Sequence, residues 1–212
     1  MMKRMLCTFA AILAFDAGVC AQPQFGLHVG TAALDPFRIT DGSPALTSWT
    51  PGFVVSASFE FAIFDALSLR TSIENNTFAF DQYRFAGTSV GYNAVTVLTS
   101  KGDDAYALRV MLEVQAQGKI NKFASLELLT GVCYVGETLG EVQATHPDPV
   151  TGNSIAVTWP ERRAHYVAHS LGLGLQFQIV DQIGIELLPR IYTDYSKRAS
   201  STISIGFLYH PG

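Results

Sequence analysis

A period of two runs through this chain and limits what it can fold into. Phe25, Leu27 and Val29 alternate with Gly26, His28 and Gly30, and the pattern returns over 53–61, 67–74, 106–115, 125–134, 171–179, 183–191 and 203–209. Successive side chains of a strand point to opposite faces, so each segment carries one apolar and one polar face. A helix would instead need apolar residues three and four apart. The chain therefore reads as all-β, with about eight strands of roughly ten residues, the length expected of tilted strands that cross a bilayer. Beyond residue 21, charged or polar residues interrupt every apolar stretch, and none reads as a transmembrane helix. Any crossing of a membrane must then be made by a closed barrel, which satisfies all backbone polar groups between strands.

Connection lengths add a direction. The stretches 62–66, 118–122 and 180–182 are short, whereas 34–50, 75–103 and 137–162 are long and hold most of the Pro, Asn, Asp and Gly, including His146-Pro147-Asp148-Pro149 and Thr151-Gly152-Asn153. Up-and-down strands with short turns at one end and long loops at the other match a transmembrane barrel. The Lys197-Arg198 connection is an exception, being short on the loop side. Within 77–99, Val95-Thr96-Val97-Leu98 is expected to extend a hairpin above the membrane.

The N-terminus has a different composition. Lys3 and Arg4 precede an apolar run over 6–15, and small residues follow, with Val19 and Ala21 at the two positions that a signal peptidase reads. Residues 1–21 are expected to be a signal peptide and 22–212 the folded domain. Asp16 departs from the pattern, and Cys20 offers a lipid-attachment alternative that the bulky Val19 disfavours. Removing 1–21 takes away Lys3, Arg4 and Asp16 and leaves the chain slightly more acidic than the −4 of the whole sequence. This balance argues against nucleic acid, which leaves a basic footprint. Cys133 is then the remaining cysteine, so no intramolecular disulfide can form.

Three details decide which face meets lipid. The polar faces carry charges of both signs, Glu60, Arg70, Glu74, Arg109, Glu113, Glu127, Glu186 and Arg190, while lysines are kept to turns and loops at Lys101, Lys119, Lys122 and Lys197. A soluble barrel would crowd its outer face with lysine. Gly26, Gly30, Gly172, Gly174, Gly184 and Gly206 share the polar faces and make room in a narrow interior. Aromatics gather at strand ends: Phe25, Phe59, Phe61, Phe123, Phe177 and Phe207 towards the short turns, and Trp49, Tyr106, Tyr134 and Tyr195 towards the loops, as two interfacial girdles.

With these segments in view, 52–74, 106–136 and 171–209, the chain resembles the small outer-membrane β-barrel protein family. The resemblance implies an antiparallel up-and-down transmembrane β-barrel of about eight strands, exported to the outer membrane. It implies contact with outer-membrane lipid and lipopolysaccharide, recognition by the barrel-assembly machinery, and a monomeric state. In such families the last residue is often aromatic and helps the assembly machinery recognise the final strand. Here Phe207 and Tyr209 supply the alternation, and His210-Pro211-Gly212 follow.

The charged set is the sharpest chemical constellation. Buried charges are costly unless paired, so Arg109 or Arg190 is expected to pair with Glu113, Glu127 or Glu186 across the lumen, as a structural plug. His165 and His169 share a face but stand roughly 13 Å apart along a strand, too far for one metal ion. His169 and Ser170 face opposite ways, which does not make a nucleophile–base pair. Cys133 reads as a small interior residue, and Gly172-Leu173-Gly174 lies inside a strand, so it is no phosphate loop. The expectation is a non-enzymatic structural or surface-interaction protein without cofactor or metal. The alternatives are a lipid-modifying barrel enzyme and a soluble periplasmic ligand-binding barrel.

Overall fold

The computed structural model describes residues 23–34, 49–64, 66–82, 89–90, 95–96, 98–148, 150–194 and 199–211. The expected signal peptide, Tyr195, and the Lys197-Arg198 connection lie outside them. Among the described residues thirteen strands are formed: β1 (Pro23–Leu34), β2 (Gly52–Phe64), β3 (Leu67–Phe78), β4 (Ser89–Val90), β5 (Val95–Thr96), β6 (Thr99–Gly102), β7 (Ala105–Lys119), β8 (Ala124–Leu139), β9 (Val142–Pro147), β10 (Ser154–Trp159), β11 (Arg162–Val180), β12 (Ile183–Asp194) and β13 (Ala199–Tyr209). Eight of them close into an antiparallel barrel in the order β1-β13-β12-β11-β8-β7-β3-β2. The first and last strands pair from Phe25↔Tyr209 to Leu34↔Ser200, which removes the sheet's edges.

The alternation sorts the side chains as a lipid environment demands. Leu27, Val29, Leu108, Leu112, Leu128, Val132, Leu171, Leu173, Ile203 and Ile205 point outward and are exposed, whereas Arg70, Glu74, Arg109, Glu113, Glu127, Glu186 and Arg190 point inward and are buried. A soluble ligand-carrying barrel has the reverse arrangement. Phe25, Phe177, Phe207 and Tyr209 lie at the short-turn end of this apolar band, and Tyr106 and Tyr134 at the other.

Three of the connections are tight. β2 and β3 are joined after a register shift between Ala62 and Phe64. The β7–β8 turn is held by Asn121, whose Oδ1 accepts the Phe123 and Ala124 amides at 2.8 and 2.9 Å. β11 and β12 are joined at Asp181-Gln182.

The long connection over 137–162 differs from its reading as a loop. β8 and β11 hold register to Leu139↔Arg162, and β9 and β10 resume it at Val142↔Trp159 without an offset. Tyr106↔Thr138 in β7–β8 likewise continues into Gly102↔Val142 in β6–β9. β6, β9 and β10 are thus upward extensions of β7, β8 and β11, a three-stranded sheet standing above the rim. Pro147, Pro149 and Gly152 conceal this in the sequence, but Pro147 ends β9 opposite Ser154, and Gly152 lies in the tip beyond it. There Gly152 takes φ 73°, a conformation that glycine adopts without steric cost. Asp148 accepts Thr151 Oγ1 at 2.5 Å and the Val150 amide at 2.9 Å, and these bonds hold its carboxyl below the usual carboxylate range. Over 77–99 the small β4–β5 pair forms, Ser89↔Thr96 and Val90↔Val95, while 83–88, 91–94 and 97 lie outside the described residues.

Trp49 corrects the expected girdle. It is buried inside the mouth of the barrel among Ala32, Val54, Phe78, Ala105, Ala107, Val142 and Ala144, with Phe80, Leu139 and Trp159 packed around them. Its indole Nε1 donates to the Asp103 carbonyl at 3.1 Å. Its polar edge is satisfied by backbone, so it has no need of an interfacial position.

Leu173→Arg, halfway along β11 and facing out, should lower barrel stability in lipid vesicles by about 2–4 kcal/mol. Gln176→Arg, facing in beside Gln117 and Ser125, should lose less. Urea unfolding of the two variants checks this, and equal losses would reverse the assignment of faces.

Candidate functional site

The interior is layered. Nearest the short turns lie Gln117, Ser125 and Gln176, where Gln117 Nε2 donates at 2.8 Å to both Ser125 Oγ and Gln176 Oε1. Above them is the first charged layer. Arg70 reaches across from β3 to β12 and grips Glu186 with both ends of its guanidinium, Nη1 to Oε1 at 2.7 Å and Nη2 to Oε2 at 2.8 Å. His28 Nε2 meets the same Oε2 at 2.6 Å. Facing the carboxylate, which can only accept, Nε2 is in the donor's place, and Arg70 Nη2 lies 3.2 Å from the same nitrogen. Arg190 Nη2 donates to Glu113 Oε2 at 2.8 Å.

An apolar layer of Met111, Cys133, Val135, Ala168 and Tyr192 follows. Beside it sits the second charged group. Arg109 donates to Glu74 Oε1 at 2.7 Å and Ser200 Oγ at 2.9 Å, and its guanidinium lies 4.4 Å from the centroid of the Tyr192 ring. Tyr192 and Asn76 donate to the two oxygens of Glu74 at 2.9 and 3.0 Å. The Trp49 cluster lies above this group, towards the loop end.

All eight sequence-selected residues face this interior. Arg190 meets Glu113, one of the partners open to it in the sequence. Arg109 does not meet Glu113, Glu127 or Glu186. It takes Glu74, its register neighbour on β3. Glu127 stands 4.0 Å from Arg70 and outside any tight pair. Glu60 accepts from Gln115 Nε2 at 3.1 Å. Sequence reasoning passed over His28, Asn76, Gln115, Tyr192 and Ser200. Each holds an inward-facing parity position, a usable signal, but none carries the fixed charge that marks the other eight. Gly206 is part of the same construction, because a β-carbon there would collide with the His28 ring.

The outward polar groups form a separate set. His165 Nδ1 bonds Tyr134 Oη at 3.1 Å with the rings stacked, and His169 Nε2 bonds Thr130 Oγ1 at 3.2 Å. Ser170 points inward and is fully buried, as is the free Cys133. Among the described residues no group of three His, Cys, Asp or Glu is placed to hold a metal ion.

Arg109→Ala would leave Glu74 buried without its counter-ion, a loss of about 3–5 kcal/mol for a buried pair. Arg162→Ala, at the exposed start of β11, should stay near the ~0.5 kcal/mol typical of surface changes. Denaturant unfolding should separate the two clearly, and similar losses would count against a stabilising Arg109–Glu74 pair.

No protein-family model matches the chain, and no curated protein does. Solved structures do. Ail, the attachment invasion locus protein of Yersinia pestis, is 13% identical over 89% of this chain and 97% of its own, with a TM-score of 0.50. Neisserial surface protein A is 10% identical over the same shares, with a TM-score of 0.52. At such identities the likeness concerns the fold, and it agrees with the strand count, closure and antiparallel order found above. The chain has the fold of the small eight-stranded outer-membrane β-barrels.

Proposed function

We propose that this protein is a non-enzymatic integral barrel of a Gram-negative-type outer membrane, with a structural or surface-interaction role and a lumen plugged by its own charged side chains. The observation that carries the reading is the inside-out distribution of polarity: an apolar exterior band around an interior holding three engaged arginines and their carboxylates. An eight-stranded barrel has space only for its inward side chains, whereas open porins use about 16–18 strands. The Trp49 cluster adds an apolar stopper at the loop end. Export through residues 1–21, a monomeric state, and outer-membrane lipid with lipopolysaccharide around the band belong to the same reading.

The non-enzymatic part rests on the outward histidines. Both are engaged with Thr130 and Tyr134, and the neighbouring Ser170 faces the other way. The surface-interaction part rests on the projecting sheet. One of its two edge strands in the described structure, β10, reads Ser-Ile-Ala-Val-Thr-Trp and carries no charge or proline to discourage pairing with another strand.

The reading puts both termini and the short turns in the periplasm and the projecting sheet outside. Protease added to intact cells should cut within 147–153, where Val150 is 89% exposed, and spare 119–122. Cleavage that needs a broken outer membrane would overturn the orientation.

A further inference from the structure

We infer that the outward face where β11 passes the end of β12 is a lipid-binding site, and that it takes an outer-leaflet lipid whose acyl chains carry amide and hydroxyl groups, as those of lipopolysaccharide do. The inference rests on the membrane reading above and names a site for its lipid. Three polar side chains meet there on the apolar exterior. His169 on β11 lies opposite Thr193 on β12. Its Nε2 bonds Thr130 Oγ1 of β8 at 3.2 Å. All three residues are exposed, and the next outward positions towards the short turns, Leu128, Leu171 and Ile191, are apolar.

Register explains the shape of the site. In the described structure β12 stays paired with β11 only up to Asp194↔Ala168, whereas β8 follows β11 up to Leu139↔Arg162. The wall therefore drops by a step beside β11. A groove of about 310 Å³ lies at this step, lined by Val132, Val167, Ala168, His169, Thr193 and Asp194. Tyr134, opposite Val167, and the His165 ring stacked on it mark the level just above. Val132 and Val167 give the groove an apolar wall, and His169 and Thr193 give it a polar row. That combination suits the junction between the head and the chains of a lipid.

The polar row needs partners. Among the described residues neither His169 Nδ1 nor Thr193 Oγ1 has a hydrogen bond. A polar group that faces hydrocarbon without a partner is costly. A hydroxyl both donates and accepts, and an imidazole offers a donor and, when neutral, an acceptor. The row therefore matches groups that also do both, the amides and hydroxyls on the acyl chains of lipopolysaccharide. The ester carbonyls of a glycerophospholipid only accept, and they would leave the acceptors of the row unmatched.

The full chain, refolded into phosphatidylcholine vesicles with and without lipid A (the acylated part of lipopolysaccharide), tests this. With the histidine ring nitrogens labelled for magnetic resonance, the signal that His169→Leu or His169→Gln removes should shift when lipid A is present. It should stay in place in phosphatidylcholine alone. After detergent extraction the wild type should retain about tenfold more lipid A than a variant combining His169→Leu with Thr193→Val, the scale of one or two hydrogen bonds. Both changes put apolar groups on the lipid face, so this variant should keep the wild-type urea midpoint in phosphatidylcholine. An unshifted His169 signal in the wild type would overturn the inference, whatever the variant does. So would equal retention of lipid A, or cross-linking of barrel pairs through Thr193→Cys that ignores lipid A, which would make the patch a contact between two copies. Failure on these grounds, with the barrel inserted and the protease pattern intact, would leave the membrane reading standing.

Discussion

Pairing of β1 with β13 is the constraint on which the rest depends. Without it the sheet would have two open edges of unpaired N–H and C=O groups, which hydrocarbon does not tolerate. With it, eight strands enclose a fixed and narrow interior, and every inward side chain must fit that space. The partners run from Phe25↔Tyr209 to Leu34↔Ser200, so closure is continuous along β1 from Phe25 onward. It also places His28 beside Gly206, and from there against Glu186 on the next strand.

Closure turns a list of charges into a structure. An apolar filling would have served volume equally well, and buried ion pairs are often no more stabilising than hydrophobic isosteres. What the charges add is direction. Arg70 spans from β3 to β12, Arg190 from β12 to β7, and Arg109 ties β3, β7 and β13 together around Tyr192. These links join strands that share no backbone ladder, except Arg109 with Glu74. The apolar clusters around Met111 and Trp49 flank the upper group, whose Arg109 and Glu74 side chains are buried, so its pairs act at short range in a poorly solvated interior.

Most of the fold was legible because parity is local. One residue in two faces outward and is apolar, and the segments at 106–115, 171–179 and 203–209 carry that signal without interruption. The projecting sheet was not legible, because above the rim neither face is required to be apolar, and Thr-His-Pro and Ser-Ile-Ala-Val read as loop and strand fragments. Only register shows them to be continuations of β8 and β11. Trp49 was misassigned because an aromatic at a strand end fits an interface and a capped mouth equally well. The charged residues were legible as a set but not as pairs. Which arginine meets which glutamate depends on strand order around the barrel and on reach across it, and neither is written in the spacing. Thus Arg109 takes its register neighbour Glu74, while Arg70 passes over Glu60 and Glu113, its register neighbours, to reach Glu186.

The central claim is that a barrel of this size, filled in this way, gives no free path through the membrane. Planar-bilayer conductance of the purified wild-type protein tests it most directly. The account predicts a bilayer that stays close to its bare conductance after insertion. Large, steady, porin-sized steps from the unmodified protein would contradict it and make solute passage the leading function.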